Sequence, residues 1–198
     1  EEAMEVILNN MPGDTIYSAT TGRATRELFF LREKRSETKA HDFLNVGSMG
    51  HASSVALGIA LEKPERKVVA LDGDSACMMH MGAMTMVSKL DVPNFMHVVL
   101  NNGSHESVGG QPSAGHKVDF TKIAEACDYA TVGHPVTTEV ELMEALEVLR
   151  NCGKASFIDC RIHKGLSRKL PPVIFDHREV IDALIDNLNE SRITMDKK

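Results

Sequence analysis

The stretch that decides the fold is Val68-Val69-Ala70-Leu71-Asp72-Gly73-Asp74-Ser75-Ala76. Its first four residues are apolar on both sides of a pleat, as in a buried central strand of a parallel sheet. The segment Gly73-Asp74-Ser75 then predicts a turn, and residues 76–90 have the apolar spacing of a helix. The stretch therefore predicts a strand, a turn and a helix in succession.

Outward from this unit, short β-rich apolar runs alternate with stretches of helical spacing along the chain. Strands are predicted near Thr15–Ala19, Phe43–Val46, Lys67–Leu71, Met96–Leu100, Tyr129–Val132 and Ser156–Ile162. Helices are predicted near Ala3–Asn9, Thr25–Arg32, His51–Leu61, Ala76–Leu90, Asp119–Cys127, Glu139–Asn151 and Arg178–Asn189. This alternation predicts an α/β fold, in which a parallel sheet of about six strands carries helices on both faces.

Length and composition limit the class of protein. The 198 residues suit one α/β domain, and the formal net charge of -6 leaves no basic surplus for binding nucleic acid or an anionic membrane. The four cysteines are scattered without a C-x-x-C pair, and no apolar run approaches the ~18 residues of a membrane-spanning helix. We therefore expect a cytoplasmic protein.

We expect residues 1–198 to form a single domain, with residues 171–198 as a C-terminal helical extension. The first residue is Glu1 and not Met, which favours a segment trimmed from a longer protein. A natural subunit of this size is the alternative.

Four polar segments follow predicted strands. In open α/β sheets, ligands bind outside the carboxyl ends of the strands, so these segments are expected to meet at one site. They are Thr20-Thr21-Gly22, Gly47-Ser48, Gly73-Asp74-Ser75 and Asn101-Asn102-Gly103. The sequence has no G-x-G-x-x-G at a first strand–helix turn and no G-x-x-x-x-G-K-[ST], which argues against a dehydrogenase-type or kinase-type nucleotide site.

Asp74 lies where the free N–H groups of a helix start would attract a phosphate. At ~4 Å its carboxylate would oppose each unit of phosphate charge by about 4 kcal/mol at an effective dielectric constant of 20. The attraction of a helix end is worth only about 0.3 to 1 kcal/mol. A bridging cation resolves this conflict, and oxygen ligands from Asp74 and from the segment Asn101-Asn102-Gly103-Ser104 suit Mg²⁺.

Gly73-Asp74 followed by Asn101-Asn102 resembles the diphosphate and Mg²⁺ motif of the thiamine-diphosphate-dependent enzymes, and the resemblance covers residues 2–162. It implies thiamine diphosphate and Mg²⁺ as cofactors, with Asp74, Asn102 and the carbonyl of Ser104 as metal ligands. The cofactor contacts that it implies are Thr21, Gly22, Arg23, Gly47, Ser48, Met49, Gly73, Asp74, Ser75, Ala76, Asn102 and Ser104.

Two of these segments have separate implied roles. Gly47-Ser48-Met49-Gly50 is similar to the family segment in which a glycine carbonyl accepts a hydrogen bond from the aminopyrimidine and a bulky residue bends the cofactor. Thr21-Gly22-Arg23 is similar to the loop that closes over the diphosphate. The family usually has Gly-Asp-Gly-Ser where this chain has Gly73-Asp74-Ser75-Ala76, so we expect an ordinary helix-start conformation at Ser75.

Within the family, residues 43–54 and 101–112 are most similar to phosphonopyruvate decarboxylases, with the β subunits of sulfopyruvate decarboxylases as the nearest sister group. The resemblance implies decarboxylation of a 2-oxo acid, best assigned as phosphonopyruvate going to phosphonoacetaldehyde and CO₂. A noncatalytic cofactor-binding module is the alternative of another class.

Such enzymes pair this type of domain with a pyrimidine-binding domain that supplies an activating glutamate. The resemblance therefore implies a pyrimidine-binding domain or α subunit as partner, in a homo- or hetero-oligomer. This chain alone is expected to be inactive.

Four polar residues follow the metal segment and have candidate roles in the reaction. His105 and Glu106, together with His51, are candidate catalytic residues, and His116 and Lys117 are candidate contacts for an anionic substrate. A solvated loop is the alternative for residues 105–117, and helix-start packing is the alternative for His51.

Overall fold

The structure is a computed structural model that describes residues 1–165, 170 and 176–195, the last five of these by their backbone alone. In chain order the strands are β1 (Ile16–Ala19), β2 (Asp42–Leu44), β3 (Val68–Gly73), β4 (Phe95–Asn101), β5 (Ser104–His105), β6 (Gln111–Pro112) and β7 (Ser156–Arg161). The α-helices are α1 (Glu2–Asn10), α2 (Arg23–Lys34), α3 (Ala52–Glu62), α4 (Asp74–Met79), α5 (Phe120–Ala126), α6 (Glu139–Leu149) and α7 (His177–Met195). Two 3₁₀ helices span Met81–Lys89 and Glu106–Val108.

Five strands form the main sheet, in the spatial order β2-β1-β3-β4-β7, and every neighbouring pair is parallel. The chain moves outward from β1 to β2 and then returns to the other side of β1 to form β3. The direction of winding therefore reverses between β1 and β3, which is where open α/β sheets place their ligands. β5 and β6 form a separate antiparallel hairpin.

Side chains of the central strands alternate between two apolar layers. Val69 and Leu71 of β3 belong to the layer that α1, α2 and α6 cover. Val68 and Ala70 belong to the opposite layer, to which α3, α4, α5 and α7 contribute. All four side chains are fully buried, so the predicted parallel sheet with helices on both faces is confirmed.

The predicted strand Tyr129–Val132 is reduced to bridges beside β7. Ala130 pairs with Ser156 and Val136 pairs with Cys160, both in parallel. Between these bridges Gly133 adopts a φ of 81°, and Pro135 has no N–H to donate, so the ladder cannot continue. The described sheet therefore has five strands and a broken sixth row.

The helix predicted over Ala76–Leu90 is divided into two pieces. α4 begins earlier, at Asp74, and ends at Met79, and the 3₁₀ helix Met81–Lys89 follows. Within that helix the Thr85 hydroxyl donates to the Gly82 carbonyl at 2.8 Å, and the Ser88 hydroxyl donates to the Thr85 carbonyl at 2.7 Å. Side chains that bond to the backbone three residues back compete with α-helical hydrogen bonds.

The C-terminal helix α7 packs against the body of the domain. Its Leu184 is buried in the second apolar layer, and the Leu188 carbonyl accepts a hydrogen bond from Lys63 Nζ. Residues 171–175 and 196–198 of the predicted extension lie outside the described residues. No helix in the described part of the chain is long and apolar enough to cross a lipid bilayer.

Candidate functional site

A cavity of about 550 Å³ opens where the carboxyl ends of β1, β3, β4 and β7 meet. Parallel strands end at the same edge, so residues distant in sequence converge there. The predicted site residues that line it are Thr21, Arg23, Met49, Gly73, Asp74, Ser75, Ala76, Asn102, Ser104, His105 and Glu106. Gly22, Gly47, Ser48, His51, His116 and Lys117 lie outside this lining.

Asp74 is the first residue of α4 and is only 2% exposed. The hydroxyl of Ser113 donates a hydrogen bond to its Oδ2 atom. Gly115 lies so close that a Cβ atom at this position would be 2.8 Å from Asp74 Cβ. The Oδ1 atom has no hydrogen-bond partner among the described residues, so it is available to a cation.

Ser75 follows Asp74 and also lines the cavity. Its backbone is that of a helix start and not of the positive-φ region, as expected from the sequence. Its hydroxyl is buried without a hydrogen-bond partner in the described part of the chain. A buried donor without a partner costs free energy, and a phosphate oxygen in the cavity would satisfy it.

Asn102 is held in one orientation by two partners. Its Nδ2 donates to Glu106 Oε2 at 2.8 Å, and its Oδ1 accepts from the backbone N–H of Ser104 at 3.0 Å. An amide oxygen has two lone pairs, so Oδ1 retains one for a cation. No group of three or more His, Cys, Asp or Glu side chains suited to a metal is found in residues 1–165 or 176–190, so a cation here would need amide, carbonyl and ligand oxygens in addition to the Asp74 carboxylate.

Asn101 has a structural role. Its side chain is fully buried, donates to the Gly115 carbonyl at 2.9 Å and to Asp159 Oδ1 at 3.1 Å, and accepts from the Gly103 N–H at 3.2 Å. These hydrogen bonds use both the nitrogen and the oxygen of its side-chain amide. Of the two consecutive asparagines, only Asn102 lines the cavity.

Glu106 joins three segments around the cavity. Its carboxylate lies 2.5 Å from Arg23 Nη1 and accepts from the Gly165 N–H at 2.6 Å, in addition to the bond from Asn102. Arg23 Nη1 also donates to the Gly165 carbonyl at 3.0 Å. These contacts favour a positioning role for Glu106, which the sequence made a candidate catalytic residue.

The segment after β2 reaches the cavity through Met49 alone. Ser48 and Gly50 have φ angles of 50° and 87°. Gly50 cannot carry a side chain, because a Cβ atom would lie 2.6 Å from His80 Cδ2 and 2.8 Å from the Ala76 carbonyl oxygen. This segment therefore packs directly on α4, and the His51 ring contacts the His80 ring at 4.1 Å between centroids, with the ring planes tilted by 52°.

The two candidate substrate contacts lie away from the cavity. His116 is exposed, and its ring packs against Gly103, while Lys117 is exposed. The cationic side chains that do line the cavity are Arg23, Arg161 and Lys164. Arg161 and Lys164 were missed in the sequence, although they end or follow the last strand of the sheet and so belong to the same edge.

Most of the residues that line the cavity lie in a part of the chain that matches a known protein family. Residues 20–160 match the family model described as thiamine pyrophosphate enzyme, C-terminal TPP binding domain. This range holds the ends of β1, β2, β3 and β4 and therefore nearly all of the candidate ligands.

Relatives of two kinds match the chain. A phosphonopyruvate decarboxylase of Streptomyces viridochromogenes is 39% identical over 73% of this chain and 34% of its own length. A sulfopyruvate decarboxylase subunit beta of Methanocaldococcus jannaschii is 27% identical over 89% of this chain and 93% of its own length. One from Methanococcus maripaludis is 30% identical over 72% of each chain. The chain thus spans about a third of the length of the phosphonopyruvate decarboxylases that it matches.

Solved structures share the fold. A putative thiamin diphosphate-dependent enzyme from Mycobacterium smegmatis matches with a TM-score of 0.66 and 22% identity, over 82% of this chain and 31% of its own. A thiamine diphosphate-dependent 4-hydroxybenzoylformate decarboxylase from Rhodococcus jostii matches with a TM-score of 0.63 and 19% identity, over 82% of this chain and 32% of its own.

Proposed function

The chain belongs to the thiamine pyrophosphate enzyme family, and from that membership we propose that it holds the diphosphate end of thiamine diphosphate, through Mg²⁺, in a 2-oxo-acid decarboxylase. The proposed substrate is phosphonopyruvate, and the products are phosphonoacetaldehyde and CO₂. Identity supports this substrate, because two phosphonopyruvate decarboxylases are 39% and 38% identical to the chain.

One observation carries the proposal: Asp74 and Asn102, from the ends of the adjacent strands β3 and β4, line one cavity and each has an oxygen left for a cation. The proposed metal ligands are Asp74 Oδ1, Asn102 Oδ1 and the Ser104 carbonyl. A hard cation with oxygen ligands and retained waters is Mg²⁺ in ordinary protein sites.

The remaining cavity residues suit a diphosphate. The Ser75 hydroxyl is the proposed donor to a phosphate oxygen, and Thr21, Gly22 and Arg23 lie on the loop that would close over it. Gly47, Ser48 and Met49 are proposed to contact the rings of the cofactor. When bound, thiamine diphosphate supplies the electron sink that allows CO₂ to leave a 2-oxo acid.

The proposed reaction needs a second domain. The Glu106 carboxylate is occupied by Arg23, Asn102 and Gly165, so it is a poor candidate for activating the aminopyrimidine. We place the activating glutamate on a pyrimidine-binding domain, either in a partner subunit or elsewhere in a longer chain.

A second candidate is the β subunit of a sulfopyruvate decarboxylase. The observation that favours it is coverage, since the M. jannaschii β subunit and this chain match over 93% and 89% of their lengths. Both candidates use the same cavity, and their substrates differ in whether they carry a phosphonate or a sulfonate.

The deciding experiment combines the chain with a pyrimidine-binding domain, thiamine diphosphate and Mg²⁺, and measures CO₂ release from phosphonopyruvate and from sulfopyruvate. Faster release from phosphonopyruvate supports the first candidate, and the reverse preference supports the second. If no 2-oxo acid releases CO₂ while the chain still binds thiamine diphosphate, the noncatalytic module is the correct description.

The metal assignment has its own test. Asp74→Ala should abolish Mg²⁺-dependent binding of thiamine diphosphate, because the substitution removes the carboxylate that holds the cation. Isothermal titration calorimetry measures this, with Asp91→Ala as the matched control because Asp91 is exposed and outside the cavity. Unchanged affinity in Asp74→Ala would contradict the assignment.

A further inference from the structure

We infer that Ser113 and Glu106 are positioning residues that orient the two side-chain metal ligands of the proposed site, Asp74 and Asn102. The inference rests on the proposed function, because it assumes that these two side chains bind the cation. Each positioning residue holds one atom of its ligand and so determines which oxygen faces the cation. Both come from the β5–β6 hairpin or the residue that follows it.

The direction of the Ser113 hydrogen bond to Asp74 follows from the carboxylate, which can only accept when it is ionised. Ser113 Oγ accepts a hydrogen bond from the Gly115 N–H at 3.1 Å. A hydroxyl carries one proton, and an ionised carboxylate can only accept, so that proton lies between Ser113 Oγ and Asp74 Oδ2. Hydrogen bonds to charged acceptors are among the strong ones, which makes Ser113 an effective constraint on the carboxylate.

Gly115 is the backbone position that permits this contact. A Cβ atom there would lie 2.8 Å from Asp74 Cβ and would meet the side-chain oxygens of Asp74 and Asn101 at still shorter distances. Only glycine allows the segment to approach so closely. The Gly115 carbonyl also accepts from Asn101 Nδ2 at 2.9 Å, which fastens the segment to the end of β4.

Glu106 performs the equivalent task for Asn102. Because Glu106 Oε2 can only accept, the atom of Asn102 that faces it is the amide nitrogen. The Ser104 N–H independently requires that the opposite atom be the oxygen. Glu106 is in turn held by Arg23 and Gly165, so the orientation of Asn102 depends on three segments of the chain.

The hairpin explains how these residues reach the site. Ser104 pairs with Pro112, and His105 pairs with Gln111. The Ser113 N–H then donates to the Gly103 carbonyl at 2.9 Å, which returns the chain to the end of β4. Without this turn Ser113 would continue away from Asp74, which is 39 positions distant in the sequence.

The test measures metal affinity and not activity. Mn²⁺ replaces Mg²⁺, and its binding to the chain in the presence of thiamine diphosphate is measured by electron paramagnetic resonance of the free ion. Ser113→Ala should weaken Mn²⁺ binding by about 10–100-fold, as is usual when the hydrogen-bond partner of a metal ligand is removed. Ser113→Thr keeps the hydroxyl and should restore most of the affinity.

The matched control is Ser88→Ala. Ser88 is exposed, lies outside the cavity and donates its hydroxyl to the Thr85 carbonyl at 2.7 Å. It should bind Mn²⁺ as the unsubstituted chain does. If Ser113→Ala also binds Mn²⁺ with unchanged affinity, or if Ser113→Thr is as weak as Ser113→Ala, the positioning role of Ser113 is wrong.

Glu106 is tested with two substitutions. Glu106→Gln can still accept from Asn102, whereas Glu106→Ala cannot, so Mn²⁺ affinity should fall more in Glu106→Ala than in Glu106→Gln. Equal affinities in Glu106→Ala and the unsubstituted chain would overturn the Asn102 half of the inference.

Failure of this inference differs from failure of the proposed function. If Asp74→Ala binds Mn²⁺ as tightly as the unsubstituted chain does, or if the unsubstituted chain binds no Mn²⁺, the proposed metal site fails together with the inference. If Asp74→Ala abolishes Mn²⁺ binding but Ser113→Ala and Glu106→Ala do not weaken it, the site stands and only the positioning roles are wrong.

Discussion

Asp74 and Ser75 are consecutive residues that have opposite relations to a phosphate. The carboxylate of Asp74 repels it, whereas the Ser75 hydroxyl is buried without a partner among the described residues. The proposed cation at Asp74 would remove the repulsion and leave the Ser75 hydroxyl free to donate. The sequence identified the conflict at Asp74, but only the structure shows that the next residue needs a partner.

The cavity also contains a cysteine, Cys160, which is 4% exposed. Burial and, to a smaller extent, the charge of Asp159 together raise the pKa of its thiol to about 12. Because a raised pKa keeps the thiol protonated, the reactive thiolate is nearly absent at neutral pH and increases only as the pH approaches the raised value. Cys160 is therefore a packing residue of the cavity wall and not a nucleophile.

This pKa gives a labelling prediction. Iodoacetamide at pH 8 should modify the exposed Cys152 and leave Cys160 intact in the folded protein, whereas both should react in urea. Mass spectrometry of the peptides measures the two rates. Equal rates for both residues in the folded state would contradict the assigned burial and pKa.

At the scale of single elements, apolar periodicity predicted the long pieces of the fold. β3 and β4 are buried on both faces along most of their length, and their continuous apolar runs in the sequence indicated buried strands. The β5–β6 hairpin was not predicted, because each of its strands has two residues and is too short to show a period. This omission explains why Ser113 was not among the predicted site residues.

The N-terminus of α6 allows a prediction about an element. Thr138 and Glu141 form a capping box, and the Thr137 N–H donates to Glu141 Oε2 at 2.7 Å. The hydrogen bonds from Thr137 lower the pKa of the Glu141 carboxyl below its ordinary 4.5. A lowered pKa in the folded state contributes stability that is fully present above the unfolded pKa and is lost as the pH falls through the folded pKa.

Glu141→Ala should therefore destabilise the protein at pH 7, and the difference from the unsubstituted chain should shrink as the pH falls below 4.5. Urea unfolding at several pH values measures it. Glu147→Ala, on the exposed face of the same helix, is the control and should show no such dependence. If the stability difference between Glu141→Ala and the unsubstituted chain grows on acidification, the direction assigned to the pKa shift of Glu141 is wrong.

For the molecule as a whole, topology predicted where the site would be but not what holds it together. The carboxyl edge of the sheet follows from βαβ order, and Asp74, Asn102 and Ser104 line the cavity at that edge. The contacts between Arg23, Glu106 and Gly165 join residues up to 142 positions apart, and no local pattern reports such pairs. The sequence therefore predicts the edge of the sheet where the cavity lies, but it does not predict the contacts between Arg23, Glu106 and Gly165.

A buried ion pair at the edge of the sheet allows a prediction about global stability. Arg32 Nε and Nη2 each donate to the Asp42 carboxylate at 2.9 Å, and the guanidinium lies 5.3 Å from the centroid of the Tyr17 ring. Asp42→Ala should reduce the free energy of unfolding by about 3–5 kcal/mol, because it leaves a buried cation without its main partner.

Urea unfolding monitored by circular dichroism measures this change. Glu5→Ala, which removes the exposed pair with Lys34, should cost less than about 1 kcal/mol and is the control. If Asp42→Ala and Glu5→Ala lose a comparable free energy of unfolding, burial of the Arg32–Asp42 pair does not have the importance assigned to it.

The two ends of the sheet bear on how copies of this chain can associate. β2 has only three residues and α7 packs beside it, while the outer side of β7 is partly occupied by the bridges at Ala130 and Val136. Neither end offers a long row of free N–H and C=O groups to which a strand of another molecule could add. Aggregation by strand addition is thereby disfavoured, and specific association has to use side-chain surfaces.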